Sequence, residues 1–284
     1  MPRRQLGRSL RRLRVEAGMT VRAAAAEFEW SEVKIWRIET GKTPVHAFDV
    51  EGMCRAYGAS KEITQALVSL VREAKTPAWW QSYGDVTPGG WDVFAGMEGS
   101  ASHVDTYEPD LVPGLLQTDD YVREIVHAHH PDLPDSEVDV RVRFRAERQN
   151  LLTGDRPPMM RVAISETVVR RIIGGRAAMA RQLAHLVYMG RLPGLAIRVV
   201  PLSVGPHPGV ISGAFVVMRF PLSPAGVQEP TTVYGDTFTG GYYLDKDREV
   251  QQYEQAFTGI WLKALDEEST RRLLADAAKT MGES

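Results

Sequence analysis

Ser31 to Lys42, reading SEVKIWRIETGK, gathers side chains of complementary recognition chemistry on one short segment. At helical spacing Ile35 and Ile38 point inward, which leaves Glu32, Val33, Lys34, Trp36 and Arg37 on the other faces. An arginine at position 37 can pair in bidentate fashion with a guanine edge. A valine at 33 can meet a thymine methyl, and a glutamate at 32 can accept from a cytosine amino group. Lys34 adds a flexible charge for base edges or phosphates. Ser31, Trp36 and Lys42, with Arg8, Arg12, Thr20 and Arg22 upstream, suit the sugar-phosphate backbone instead.

Such a set needs a rigid frame. Leu6, Leu10 and Leu13 form one stripe over Gln5 to Ala17, with arginines on the other faces. Gly18 supplies the left-handed residue that ends this helix. Thr20 is placed to cap the next helix, Val21 to Phe28, whose Ala23 to Ala26 allow close approach and whose Phe28 is an apolar anchor. Ser31 caps the third helix and Gly41 ends it. His46 to Tyr57 predicts a fourth helix with Phe48, Met53, Cys54 and Tyr57 in the core. Lys61 to Lys75 predicts a fifth with Ile63, Leu67 and Leu70 buried. Residues 1–75 are thus expected to form an all-α, five-helix helix-turn-helix domain.

Residues 5–58 resemble the lambda-repressor-like, xenobiotic-response-element type of helix-turn-helix domain. The likeness is carried by Leu6, Leu13-Arg14, Gly18-Met19-Thr20, Ser31, Ile35, Arg37-Ile38-Glu39 and Gly41. It implies base contacts by Glu32, Val33 and Arg37, and an ion pair of Arg14 with Glu39 tying the first helix to the end of the third. Three positions depart from the pattern. Glu29 stands where the turn usually has Gly, which predicts a non-Gly residue at positive φ, at roughly 1 kcal/mol. Val21 replaces the Gln that often opens the second helix, removing one phosphate and base contact. Trp36 replaces a small polar residue, to stack on a sugar or to pack on another segment.

At 284 residues the chain has room for two domains, and 43% hydrophobic content suffices for packed cores. Its net charge of −2 is unevenly spread: residues 1–75 carry 14 Lys/Arg against 9 Asp/Glu, and the remaining 209 carry 20 against 27. A basic module on an acidic body suits a nucleic-acid contact confined to one end. The single cysteine, Cys54, excludes an internal disulfide and a multi-cysteine zinc site. No apolar run approaches the ~18 residues of a membrane span. The N-terminus lacks the apolar stretch of a secretory signal, so a cytoplasmic location is expected.

Residues 76–96, with Trp79, Trp80 and Trp91 among Gly and Pro, read as an aromatic linker whose tryptophans dock on the second domain. Residues 97–284 read as an α+β domain with one short sheet flanked by helices. Helices are predicted at Met97 to Tyr107, from a Thr118 cap to His129, and at Ser136 to Leu152. Others follow at Arg176 to Met189, Lys246 to Leu265 and Glu267 to Thr280. Strands are predicted at Met160 to Ser165, Leu195 to Val200, Gly213 to Phe220, Thr231 to Tyr234 and Gly241 to Leu244. The run YEPDLVPGLLQTDDY, Tyr107 to Tyr121, with Trp79-Trp80 and Pro206-His207-Pro208-Gly209, is similar to a C-terminal domain of unknown function. That domain occurs in many actinobacterial antitoxin-like transcriptional regulators. The resemblance implies a small acidic partner protein, often encoded next door.

Tyr107, Glu108, Pro113, Leu115, Gln117 and His207 form the candidate partner or ligand site, on an apolar turn and a stiff loop that can reach over a pocket. Catalysis is not expected, because nothing in the spacing demands an acid–base pair of Tyr107-Glu108 with His207. Gly174-Gly175-Arg176 lacks phosphate-loop spacing, and His127, His129 and His130 suit a solvated helix end rather than a metal. No cofactor is expected. The sequence points to a homodimeric regulator of transcription on double-stranded DNA, whose second domain senses a partner protein. The alternatives are an antitoxin-like protein that sequesters its partner and a sensor of a small ligand.

Overall fold

The computed structural model describes residues 2–75, 83, 91–222, 228–238 and 240–283, the side chains at 2–4, 73–75 and 91–92 excepted. The chain divides into two units, Met1–Gln81 with Phe220–Glu229, and Ser82–Arg219 with Pro230–Ser284. The expected docking of Trp79 and Trp80 lies outside the described residues, as does the side chain of Trp91.

The first unit holds α1 (Pro2–Glu16), α2 (Val21–Glu27), α3 (Glu32–Glu39), α4 (Ala47–Ala56) and α5 (Lys61–Lys75). Leu6, Leu10 and Leu13 are buried with Ala24, Ile35, Ile38, Met53, Cys54 and Leu67 in one core, against which Ile63 packs partly buried. Gly18 takes φ +69 at the end of α1. Thr20 and Ser31 cap α2 and α3 by accepting from Ala23 N at 3.0 Å and Lys34 N at 3.2 Å. Gly7 lets α1 meet α3: a Cβ there would stand 2.4 Å from the Ile38 carbonyl oxygen. Phe48, expected in the core, is instead 83% exposed. The buried stripe of α4 runs through Val50, Met53, Cys54 and Tyr57, and Phe48 lies roughly 200° around the helix from Val50.

The second unit is α+β. In chain order it holds α6 (Trp91–Glu98), β1 (His103–Glu108), α7 (Asp119–His129), α8 (Asp135–Gln149) and β2 (Met159–Ser165). Next come α9 (Glu166–Arg170), α10 (Gly175–Met189), β3 (Leu195–Val200), α11 (Pro208–Ser212) and β4 (Phe215–Arg219). β5 (Thr232–Thr237), β6 (Gly240–Leu244), α12 (Asp247–Lys263) and α13 (Glu267–Gly282) complete it. The six strands are ordered β3-β2-β1-β4-β5-β6. β1, β2 and β3 run parallel, and β4 to β6 pair antiparallel. One face of the sheet packs on α12 through Tyr107, Ala163, Phe215, Val217, Phe257 and Ile260.

Three expectations for this unit are corrected. Met97 to Tyr107 is not one helix: α6 stops at Glu98, and His103–Glu108 is the strand between β2 and β4. Val104, Asp105, Thr106 and Tyr107 are at most 4% exposed. With both faces covered, the alternation that marks a half-buried strand is lost. The helix predicted to Leu152 ends at Gln149 and tightens into a 3-10 turn over Asn150–Leu152. Thr118 stands at the N-cap of α7 but makes no capping bond; its hydroxyl and its N–H both donate to Gln182 Oε1. None of the described helices is long and apolar enough to cross a membrane.

Candidate nucleic-acid interface and second-unit site

α3 is fixed from behind before it presents anything. Arg14 Nε and Nη2 donate to Glu39 Oε1 and Oε2 at 2.6 and 2.8 Å, and Nη1 donates to the Met19 carbonyl at 2.7 Å. Both side chains are buried, so this fork clamps α1 to the C-terminal end of α3. The hydrogen bond to Glu39 raises the pKa of Arg14 against the opposing effect of burial. Ahead of α3, Glu29 adopts φ +54, and Trp30 N then reaches the Ala25 carbonyl at 2.8 Å.

The outer face of α3 carries Glu32, Val33 and Arg37, with Val33 55% exposed. Glu32 and Arg37 have no hydrogen-bond or ion-pair partner among the described residues, nor does exposed Arg22 on α2. The other proposed contacts are engaged within the chain. Lys34 Nζ sits 3.4 Å from the centre of the Trp30 ring, and Lys42 Nζ lies 4.4 Å from that of Trp36. Trp36, 48% exposed, therefore packs on a lysine of its own unit while keeping a free face. Arg12 Nε is 3.6 Å from Glu16. Arg8 donates to Glu229 Oε2 at 2.6 Å, an ion pair inside the first unit. The Thr20 and Ser31 hydroxyls accept their capping bonds with a lone pair, so each keeps its hydrogen for a phosphate oxygen.

In the second unit, strand alternation separates the six candidate residues into two sets. On the α12 side the Tyr107 ring meets the His207 ring edge-on, 5.9 Å between centroids, and Phe215 at 6.2 Å. Gly209 presses on that tyrosine, where a Cβ would stand 2.5 Å from the ring. His207 Nδ1 accepts from Gly209 N at 3.1 Å, which caps α11, and burial lowers the histidine pKa. Burial also pushes the Tyr107 hydroxyl up to about 12. This is ring packing, not an acid–base pair.

Glu108, the next residue of β1, lines a cavity of about 140 Å³ with Pro113, Leu115 and Gln117. Its turn is laced down from several elements. Tyr121 Oη accepts from Val112 N at 3.1 Å, and Gln182 Nε2 donates to the Leu116 carbonyl at 2.7 Å. Gln149 Nε2 reaches the Gln117 carbonyl at 2.6 Å, and Gln117 Nε2 donates to the Val112 carbonyl at 2.7 Å. Gly114 is required by two arginines, since a Cβ there would lie 2.6 Å from Arg145 Nη1 and 3.2 Å from Arg148. Arg148 forks onto Glu98 at 2.6 and 2.9 Å, a buried pair.

Charge within the cavity is crowded. Burial, then Asp236 and Asp110, push the Glu108 carboxyl up to about 8. Burial, then Arg148, push the Arg145 guanidinium down to about 10, which leaves it charged at neutral pH. Sequence reasoning missed Glu98, Arg145, Arg148 and Asp236. One signal was present: on α8, Arg145 follows Val138 and Val142 on the apolar stripe, where a charge needs a reason to be.

A capped helix with an exposed face of Glu32, Val33 and Arg37, held behind a short turn, defines the helix-turn-helix class of DNA-binding protein. Residues 5–67 match a helix-turn-helix domain, and residues 91–276 match a domain of unknown function (DUF5753). The chain belongs to the DUF5753 family. No curated protein and no solved structure matches it.

Proposed function

We propose that the protein is a sequence-specific transcriptional regulator of the xenobiotic-response-element type, non-catalytic and cytoplasmic, which binds double-stranded DNA as a homodimer. The observation that carries this is Arg37, exposed on α3 beside Glu32 and Val33 with no partner of its own among the described residues. Arg12, Arg22 and Lys42 supply phosphate contacts. Lys34 joins the base contacts once it leaves the Trp30 ring. The second unit modulates binding through a small acidic partner protein, a role resting on the resemblance to actinobacterial antitoxin-like regulators.

The test is operator selection from random duplexes, followed by footprinting. Arg37→Ala should cost ~1–3 kcal/mol on the selected site and relax preference at one base pair. Three phosphate cations per bundle give a salt slope of about −2.7, or about −5 for a dimer. An unchanged footprint with Arg37→Ala, or a slope near zero, would overturn the assignment.

A further inference from the structure

The cavity beside β1 contains two acceptors that have no donor among the described residues. Gln117 is 3% exposed, and its amide is oriented by the Nε2 bond to the Val112 carbonyl. That bond fixes which end is oxygen, and Oε1 has no hydrogen-bond partner among the described residues. A buried acceptor in that state is costly, and native structures rarely leave one without a reason. Glu108 is the second: among the described residues no hydrogen bond or ion pair reaches its carboxylate. Both residues line the same space, whose aromatic walls include Phe94 and Tyr234, 4.5 Å apart between ring centroids.

Charge and size narrow what fits. Arg148 and Glu98 neutralise each other through their fork. Among the described lining residues this leaves Arg145 with Glu108 and Asp236, one negative charge in excess when both carboxylates are ionised. An anionic ligand would meet two carboxylates and offer nothing to Gln117 Oε1. A volume of about 140 Å³ is close to the ~150 Å³ of a cavity that holds benzene. From the two unpaired acceptors, the charge balance and the aromatic walls we infer that this cavity binds a small organic cation, with its N–H donors on Glu108 and Gln117 and its apolar body against Phe94 and Tyr234.

Binding then drives Glu108 to its ionised form and releases a proton, because the free carboxyl holds its proton to about pH 8. The groups that set this are Asp110 beyond β1, Asp236 on β5, Arg145 on α8 and Tyr121 on α7. The inference does not depend on DNA recognition.

Calorimetric titration of the full chain with benzylamine, and with benzoate as the anionic counterpart, tests it. Benzylamine should bind one to one at about millimolar or tighter, with release of up to one proton seen as buffer-dependent heat; benzoate should not bind. Glu108→Gln keeps the shape and should weaken benzylamine about tenfold or more while abolishing proton release. Thermal unfolding of that variant guards against misfolding, and its midpoint should not fall. Benzoate binding as tightly as benzylamine, an unaffected Glu108→Gln variant, or no saturable heat from benzylamine would each overturn the inference. The titration contains no DNA, so its failure and that of the operator assay are separable.

Discussion

Replacing Glu39 by Ala strips a buried guanidinium of its counter-charge. Arg14 and Glu39 keep only 7% and 4% of their side-chain surfaces in solvent, and two of the three hydrogen bonds on Arg14 end on Glu39. Breaking such a pair from one side costs about 3–5 kcal/mol, because the remaining charge stays desolvated. A domain of this size has ~5–15 kcal/mol in total, so the loss takes a large part of the stability of the bundle. Exchanging both residues for Leu and Met removes the orphaned charge and should come out near neutral. Hydrogen exchange of the intact chain localises the effect. Amides of α1 and α3 that open only on unfolding of the bundle should exchange about 10²- to 10³·⁵-fold faster in Glu39→Ala, and those of the second-unit sheet should not change. The double replacement should restore most of the protection. Less than about threefold acceleration in Glu39→Ala would mean that the pair is not desolvated, and the reasoning would fail.

Glu29→Gly relieves a side chain held at φ +54 and should stabilise α2 and α3 by about 1 kcal/mol; slower exchange of the Trp30 amide is the readout, and no slowing would refute it. Glu108 titrates with a raised folded pKa, so its sign is set. Below about 4.5 it is protonated folded and unfolded alike; between there and about 8 only the unfolded chain ionises. The second unit therefore loses stability as pH rises through that window, by at most ~1.4 kcal/mol per pH unit, and levels off above it. Glu108→Gln should remove this slope, so its gain in unfolding temperature over the native chain should grow from pH 5 to 8; a gain constant with pH would refute the assignment.

The first unit was legible because each of its signals is local. Leu6, Leu10 and Leu13, the Gly18 stop and the Thr20 and Ser31 caps act within one or two turns, as does the strain at Glu29. What was missed depends on distant partners. Arg8 finds Glu229 221 residues away, and no local pattern announces it. Phe48 looked like core until Val50 took the inward position. β1 is covered on both faces, so its sequence carries no two-residue rhythm to distinguish it from a helix. The six candidate residues of the second unit are close along the chain or share a turn-forming composition, which says nothing of which face of the sheet each occupies. The pleat sorts them, leaving Tyr107 and His207 on one side and Glu108 with Gln117 on the other.

That sorting leaves β1 intolerant of changes in length. Tyr107 and Glu108 are neighbours, so inserting or deleting a single residue between Ala101 and Thr106 would swap their faces. The carboxyl would land among Phe215 and Phe257, and the phenol ring would be driven against Arg145. Two environments on opposite faces of the sheet thus act as one ruler, which holds the central strand to a single alignment between its parallel and antiparallel neighbours.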